Sequence, residues 1–378
     1  MQSLELLSEF TTFIEQKKAR GKKIIAFISH DNIPEELIDA AGFIPLRMIF
    51  AGDDSLMNAS NNFLPPSTCS FAQSCIGFFS LKPNTYRFLD YVDYILLSNH
   101  CVSDIVVSEI ICDNFNIDRI NFYVSYTRNE NALKYYRIEL NLLREKLEEI
   151  KGEKIPDEEI RRSIIKYNTF KKTLCKVKDL NIKGSEKLKA YQRAMLFGPE
   201  FQPELEKFIE ENKNRNEIEK NNAKPIILTG CSIFIGDYLI DMIEESGGNI
   251  VFFDSWIGHN YYSQIISEKI LEKIHDPIDL FVKRFENNIH GDHTVPDTLE
   301  EKLTFLENYI NSFQKVYGKK LGVINHIIKF CDHFSLIQSM FKEKLQERGI
   351  QVLNLERDYS RSIRGQLTTR IEAFMEMI

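Results

Sequence analysis

Short apolar runs that lead into a cysteine are the sequence feature that most constrains the fold of this chain. Residues 321–328 form such a run, rich in β-branched side chains, and Cys331 follows three positions later. The length and composition of the run predict a buried parallel strand. Cys331 is therefore expected at or just beyond the carboxyl end of that strand, at the edge of the sheet where open α/β proteins bind ligands.

Two more cysteines have comparable surroundings. Cys101 closely follows the strand-like run 91–97. Cys69 follows Pro65 and Pro66, which force an extended approach, and lies where a helix could begin. A helix N-terminus favours a thiolate, which is the form of cysteine that binds metal. Cys69, Cys101 and Cys331 are therefore candidates for one shared metal site.

The remaining cysteines leave alternatives open. Cys231 also stands at a predicted strand end, and Cys75 lies shortly after Cys69 in the same predicted helix, so either could replace one of the three candidates. Cys112 and Cys175 fall in apolar or helical stretches and are interpreted as packing residues. Because cysteine is among the most buried residue types, a small core side chain is the alternative interpretation for every one of them.

Strand and helix patterns alternate in the first and last thirds of the chain. The strand candidates are residues 22–28, 43–49, 91–97, 120–124, 225–229, 249–253, 321–328 and 350–355. This alternation predicts parallel sheets with helices on both faces. The middle third of the chain has apolar residues at helical spacing, with charged residues on the outer faces of the predicted helices. We predict an α/β protein with two Rossmann-like or flavodoxin-like lobes, residues 1–128 and 223–378, a helical connector, residues 129–222, and the metal site in the cleft between the lobes.

Composition and charge exclude several classes of protein. The 378 residues carry a formal net charge of -7, which argues against a general nucleic-acid binder. No apolar run approaches the ~18 residues needed to span a bilayer. The N-terminus has no basic segment ahead of an apolar stretch, so no secretory signal is expected and a cytoplasmic location is predicted. In that reducing compartment, seven cysteines are better interpreted as thiols or metal ligands than as a disulfide framework.

Five parts of the chain together carry a resemblance to a known family: residues 34–42, residues 69–74, Cys101, residues 329–332 and residues 365–377. In this order they resemble the 2-hydroxyacyl-CoA dehydratase family, which also includes benzoyl-CoA reductase subunits and double-cubane-cluster proteins. Because they spread over nearly the whole chain, they are together more specific than any one motif.

The resemblance implies that Cys69, Cys101 and Cys331 hold a 4Fe-4S cluster, with one iron left for water, sulfide or the substrate's oxygen. It also implies that an ATP-hydrolysing activator protein supplies a low-potential electron under anaerobic conditions. That electron reaches the thioester carbonyl of an acyl-CoA, and the resulting ketyl radical expels the neighbouring hydroxyl to give an enoyl-CoA. Family dehydratases pair two related subunits, so a homologous second subunit or a homodimer is expected.

The chain departs from the family at two places. Cys101 is followed by Val102 rather than by aspartate, so hydrogen bonding around this ligand is in question. The extra cysteines of a double-cubane protein are absent near residues 253–259 and 287–293, which favours one cluster per chain.

We assign no catalytic role to the polar residues that lie outside the cysteine stretches. Ser29, His30 and Asp31 end a strand-like run and either face the site or form a solvated loop. His290 and His293 lack the spacing of a zinc helix, so a solvated loop is favoured.

The leading hypothesis is an iron-sulfur subunit of a radical 2-hydroxyacyl-CoA dehydratase. The alternatives are an acyl- or aryl-CoA reductase component and a noncatalytic electron-transfer subunit.

Overall fold

The structure, a computed structural model, describes residues 2–28, 32–99, 101–125, 127–217, 222–287 and 298–378. Its eight strands are β1 (Ile24–Ile28), β2 (Ile44–Met48), β3 (Tyr94–Ser98), β4 (Asp118–Phe122), β5 (Lys224–Gly230), β6 (Gly248–Asp254), β7 (Gly322–Ile328) and β8 (Val352–Arg357). They form two four-stranded parallel sheets, in the orders β2-β1-β3-β4 and β6-β5-β7-β8. The second sheet thus repeats the topology of the first.

Helices cover both sheets and fill the middle of the chain. Those of the first third are α1 (Gln2–Ala19), α2 (Glu35–Ala40), α3 (Asp54–Ala59), α4 (Ser70–Leu81) and α5 (Val102–Phe115). Four more follow, α6 (Glu130–Lys151), α7 (Asp157–Cys175), α8 (Gly184–Phe197) and α9 (Gln202–Asn212). The last third contains α10 (Leu239–Glu245), α11 (His259–Tyr262), α12 (Glu268–Lys273), α13 (Pro277–Asn287), α14 (Thr298–Tyr317), α15 (Asp332–Ser335), α16 (Gln338–Glu347) and α17 (Arg364–Met377). No helix of the described ranges is long and apolar enough to cross a membrane.

The predicted α/β fold with two parallel-sheet lobes is confirmed. Every strand candidate overlaps an observed strand, including β2, which contains Pro45. Proline is tolerated there because β2 is an edge strand and need not donate a ladder hydrogen bond on its outer side. The boundaries at residues 128 and 222 stay predictions. Helices α12 and α13, which follow the second sheet's β6, contribute Leu271, Phe281 and Phe285 to a core on the first sheet.

Backbone hydrogen bonds join the loops that follow the strands of the two sheets. The amide of Ala51, after β2, donates to the carbonyl of Ile235, after β5, at 2.8 Å. The amide of Ile235 in turn donates to the carbonyl of Ile49 at 2.9 Å. The amide of Ser70 donates to the carbonyl of Lys329 at 3.2 Å. The carboxyl-end loops of the two lobes are therefore in direct contact.

A buried ion-pair network centred on Glu36 links α2, α7 and α13. Glu36, in the first turn of α2, pairs with Arg284 of α13 at 2.5 Å and with Lys171 of α7 at 3.3 Å. All three side chains are almost completely inaccessible to solvent. Burial works against the charged carboxylate, but Arg284 and Lys171 prevail and hold the pKa of Glu36 well below its usual range.

Its neighbour Glu35 forms a second buried pair. Glu35 pairs with Arg47 of β2 at 3.1 Å and accepts a hydrogen bond from the Tyr261 hydroxyl at 3.1 Å. The sequence pattern alone predicts both glutamates as first-turn residues that complement the helix dipole. The structure gives them a different and larger role as buried bridges between distant segments.

A buried lysine supports an irregular point in β6. The register between β5 and β6 shifts at Ile226, which leaves Val251 as an extra residue of β6. The Lys187 ammonium nitrogen lies 3.1 Å from the Val251 carbonyl oxygen and 2.8 Å from that of Lys178. Burial lowers the pKa of Lys187 from 10.5 to about 7.

Glu36→Gln should lower the free energy of unfolding by about 3–5 kcal/mol, because it leaves Arg284 and Lys171 buried without a countercharge. Urea unfolding at neutral pH measures the loss. The matched control is Glu149→Gln, which removes the exposed partner of Lys146 and should cost under about 1 kcal/mol. Equal effects of the two variants would contradict the linking role of Glu36.

Lys187→Met should remove a pH dependence of stability. The folded pKa is about 7 and the ordinary value is 10.5, so the unfolded chain binds more protons between those pH values and the free energy of unfolding rises with pH. Between pH 6.5 and 9 the lysine's share of that rise should be about 2 kcal/mol. Urea unfolding at both pH values measures it, with Lys189→Met, on the exposed side of the same helix, as control. Parallel pH profiles for wild type and Lys187→Met would disprove the assignment.

Candidate metal centre

The three predicted ligands share one structural position, because each is the residue immediately before a helix. Cys69 precedes α4, Cys101 precedes α5 and Cys331 precedes α15. The free amide groups of a helix N-terminus carry partial positive charge and stabilise an anion such as a thiolate. The expectation that a helix begins at Cys69 is confirmed.

The sheet topology explains why these cysteines meet. In the second sheet the strands are all parallel, but the chain adds β6 on one side of β5 and then adds β7 and β8 on the other side. The crevice outside the point where the strand order reverses, between β5 and β7, is the usual ligand site of an open parallel sheet. Cys231 directly follows β5, and Cys331 follows β7 by three residues. The first lobe contributes Cys101, after β3, and Cys69, whose helix is tied to Lys329 through Ser70.

The thiols interact with one another in a series of contacts that runs from one lobe to the other. The Cys69 thiol lies beside that of Cys331, and this contact, together with burial, raises the pKa of Cys69. The Cys231 thiol and burial raise the pKa of Cys331, against an opposing contribution from Cys69. Burial and Asp104 raise the pKa of Cys101, with a smaller repulsion from Cys69. The thiols of Cys69, Cys101 and Cys331 therefore hold their protons at neutral pH unless a cation replaces those protons.

Backbone amides point at four of the seven sulfurs. The Asp104 amide donates to the Cys101 Sγ at 3.3 Å, and the Ile328 amide donates to the Cys231 Sγ at 3.4 Å. The Phe71 and Ala72 amides face the Cys69 sulfur, and the Phe334 amide faces the Cys331 sulfur. Donors of this kind stabilise thiolates and tune iron-sulfur clusters. Hydrogen bonding at Cys101, in question after the substitution of Val102 for aspartate, is therefore present.

Of the other cysteines, Cys112 and Cys175 lie apart from this arrangement, whereas Cys75 is close enough to Cys69 for electrostatic interaction. Cys75 is buried on α4 behind Cys69, and Cys112 packs in the core from α5. Cys175 ends α7. Among the residues that the structure describes, no group of three His, Cys, Asp or Glu side chains is arranged to hold a metal ion. Ser29, His30 and Asp31, and the segment from His290 to His293, lie outside the described residues.

Two buried hydroxyls, one of them beside the thiols, lack hydrogen-bond partners among the described residues. The Tyr359 hydroxyl is close enough to Cys69 and Cys231 for electrostatic interaction, and the residue is 2% exposed. The Ser98 hydroxyl, at the end of β3, is equally buried. Neither has a partner within the described part of the chain. A buried hydroxyl without a partner is costly, so the site is suited to a bound group that offers acceptors.

The sequence did not reveal the hydrogen bonds that hold the Cys231 backbone in place. The His326 Nδ1 lies 2.8 Å from the Cys231 carbonyl oxygen, and the Arg357 Nε donates to the His326 Nε2 at 3.1 Å. Arg357 also pairs with Asp237 in a fully buried contact. His326 is visible in the apolar run as an isolated polar residue, but its partners lie far away in sequence.

None of the cysteines is among the residues that line a large cavity beside α1. That cavity, of about 780 Å³, lies between α1 and α8, with Glu9, Lys189, Arg193 and Asp237 among its lining residues. At the thiol site, instead, apolar side chains reach the surface. Val102 is 70% exposed, Phe330 40% and Leu336 84%.

Two parallel-sheet lobes with thiols gathered where their carboxyl-end loops meet define the architecture of the protein. The chain belongs to the 2-hydroxyglutaryl-CoA dehydratase D-component family, whose model matches residues 32–378. It is 26% identical over 366 residues to a benzoyl-CoA reductase subunit of Thauera aromatica, across 92% of this chain and 89% of the relative. It is 24% identical over 357 residues to the (R)-phenyllactyl-CoA dehydratase beta subunit of Clostridium sporogenes, across 91% and 89%.

Proposed function

We propose that this chain is an iron-sulfur subunit of a radical 2-hydroxyacyl-CoA dehydratase, with Cys69, Cys101 and Cys331 as ligands of a 4Fe-4S cluster. The observation that carries the proposal is the convergence of three helix-capping cysteines from two lobes in a member of this family. A four-iron cluster is wider than a single ion. It can therefore be ligated by thiols that are not grouped closely enough for one metal atom.

The chain's own residues would perform three tasks. The thiolates bind iron, and their protons leave as they do so. The backbone amides at the helix N-termini, such as that of Asp104, donate to sulfur and stabilise its negative charge. The packed surroundings of Cys69 and Tyr359 exclude water. When bound, the cluster supplies a low-potential electron for the reduction of a 2-hydroxyacyl-CoA thioester, from which water is eliminated to give an enoyl-CoA.

A second candidate function is a component of an acyl- or aryl-CoA reductase. The similarity to the Thauera benzoyl-CoA reductase protein favours it as much as the similarity to the Clostridium protein favours a dehydratase. Both functions use the same thiols and an acyl-CoA, and both need an electron from an ATP-dependent activator. Product analysis with a hydroxylated acyl-CoA separates them, because only a dehydratase eliminates water from it.

A homologous second subunit is the proposed partner. The relatives are named as subunits, and the apolar side chains of Val102, Phe330 and Leu336 reach the surface beside Cys101 and Cys331. Apolar side chains gathered at one surface are typical of protein interfaces. A partner docked there would shield the site from solvent and bring its own redox group near the thiols.

The double variant Cys69→Ala/Cys331→Ala should abolish cluster binding. Anaerobically purified and reconstituted wild type should contain about four irons and four sulfides per chain, with an electron paramagnetic resonance signal after reduction. The double variant should lose the iron and the signal, because too few thiolates remain to hold the cluster. Cys112→Ala is the matched control and should keep both. Wild type without iron after reconstitution would refute the proposed function.

Leu336→Glu should weaken association with a homologous partner protein that is co-expressed from the same source. A charge placed in an apolar contact must be desolvated, so we expect at least a tenfold rise in dissociation constant, measured by sedimentation velocity. Iron content should stay unchanged, since Leu336 follows α15 rather than preceding it. Met377→Glu, at a similarly exposed apolar residue near the C-terminus, is the control. Unchanged affinity in Leu336→Glu would remove this surface from the interface.

A further inference from the structure

We infer that Cys231 is a fourth thiolate ligand, so that the cluster of this chain has no open iron. The inference rests on the proposed function, because it concerns the same cluster. It changes the chemistry expected of the chain. A cluster held by four thiolates relays electrons, whereas one held by three leaves an iron that can bind substrate.

The first argument is position. Cys231 directly follows β5, and β5 pairs with β7, the strand that leads to Cys331. In the register of that pairing, Gly230 lies opposite His326. The two cysteines thus flank the point where the strand order reverses, and their thiols are in contact. Cys231 is therefore beside a proposed ligand rather than on the far side of the sheet.

The second argument is the way in which the Cys231 backbone is held. Its amide donates to the His326 carbonyl at 2.8 Å, and its own carbonyl lies 2.8 Å from the His326 Nδ1. Because Arg357 donates to the other ring nitrogen, Nδ1 carries the proton and donates to Cys231. Gly230 makes this approach feasible, since a Cβ there would lie 2.3 Å from the His326 carbonyl oxygen. Both polar backbone groups of Cys231 are fixed, as a metal ligand requires.

The third argument comes from the sulfur and its surroundings. The Cys231 Sγ accepts a hydrogen bond from the Ile328 amide, as the three proposed ligands also face backbone amides. The buried Tyr359 hydroxyl lies near both Cys69 and Cys231 and has no partner in the described residues. A cluster sulfur between these two cysteines would give that hydroxyl an acceptor. The amide that faces the Cys231 sulfur gives it the same surroundings as the three proposed ligands.

The test compares wild type, Cys231→Ala and the control Cys75→Ala, all purified anaerobically and reconstituted. Mössbauer spectroscopy with ⁵⁷Fe should show four thiolate-ligated irons in wild type and one distinct iron in Cys231→Ala. Limited oxidation should release that iron in Cys231→Ala and produce the paramagnetic three-iron signal, which wild type and Cys75→Ala should lack. Cys75 is a fair control because it is buried near Cys69 but lies on α4 away from the second sheet.

The outcomes separate the inference from the proposed function. A distinct iron and a three-iron signal in wild type itself would overturn the inference and leave the three-ligand cluster standing. No cluster in wild type would overturn the proposed function and the inference together. Because the wild-type spectrum decides by itself, the test does not depend on the folding of Cys231→Ala.

Discussion

The charge of Glu36 is the interaction that holds three distant segments of the chain together. A carboxylate taken out of water is stable only when countercharges stay beside it, and here they come from α7 and from α13, 248 residues away from Glu36. Arg284 and Lys171 are buried as well, so separating the three helices would break both buried pairs. The network therefore favours one packing of α2, α7 and α13, and α13 also contributes to the core on the first sheet.

The contact between the two lobes matters as well, because the thiol site is assembled from both of them. Cys69 and Cys101 belong to the first lobe, and Cys231 and Cys331 follow strands of the second. A small rotation between lobes would change every sulfur-to-sulfur distance across the interface. The hydrogen bond from Ser70 to Lys329 fixes the contact next to Cys69, and the one from Ala51 to Ile235 fixes it at the neighbouring loops. The geometry of the metal centre therefore depends on how the two lobes pack against each other.

The sequence was sufficient to predict the strands and to place the candidate ligands after strands or at the start of a helix. β-branched runs determine a buried strand locally, and prolines before Cys69 determine where its helix begins, so neither needs tertiary information. It was insufficient for the role of Glu36, because nothing near α2 reveals that Arg284 packs against it. It was also insufficient to choose between Cys231 and Cys75. That choice depends on β5 lying beside β7, and strand order does not follow from a pattern of alternating strands and helices.

The number of thiolates then bears on how two related subunits share one reaction. Cys101 and Cys331 are partly exposed beside the apolar Val102 and Leu336, whereas the large cavity of the chain lies elsewhere. A relay needs a short path to its redox partner, and the partial exposure of Cys101 and Cys331 offers one. A substrate-binding cluster would need an open iron facing a cavity large enough for an acyl thioester. With Cys231 as a ligand, we expect the chain to pass electrons to a partner subunit whose own cluster keeps an open iron.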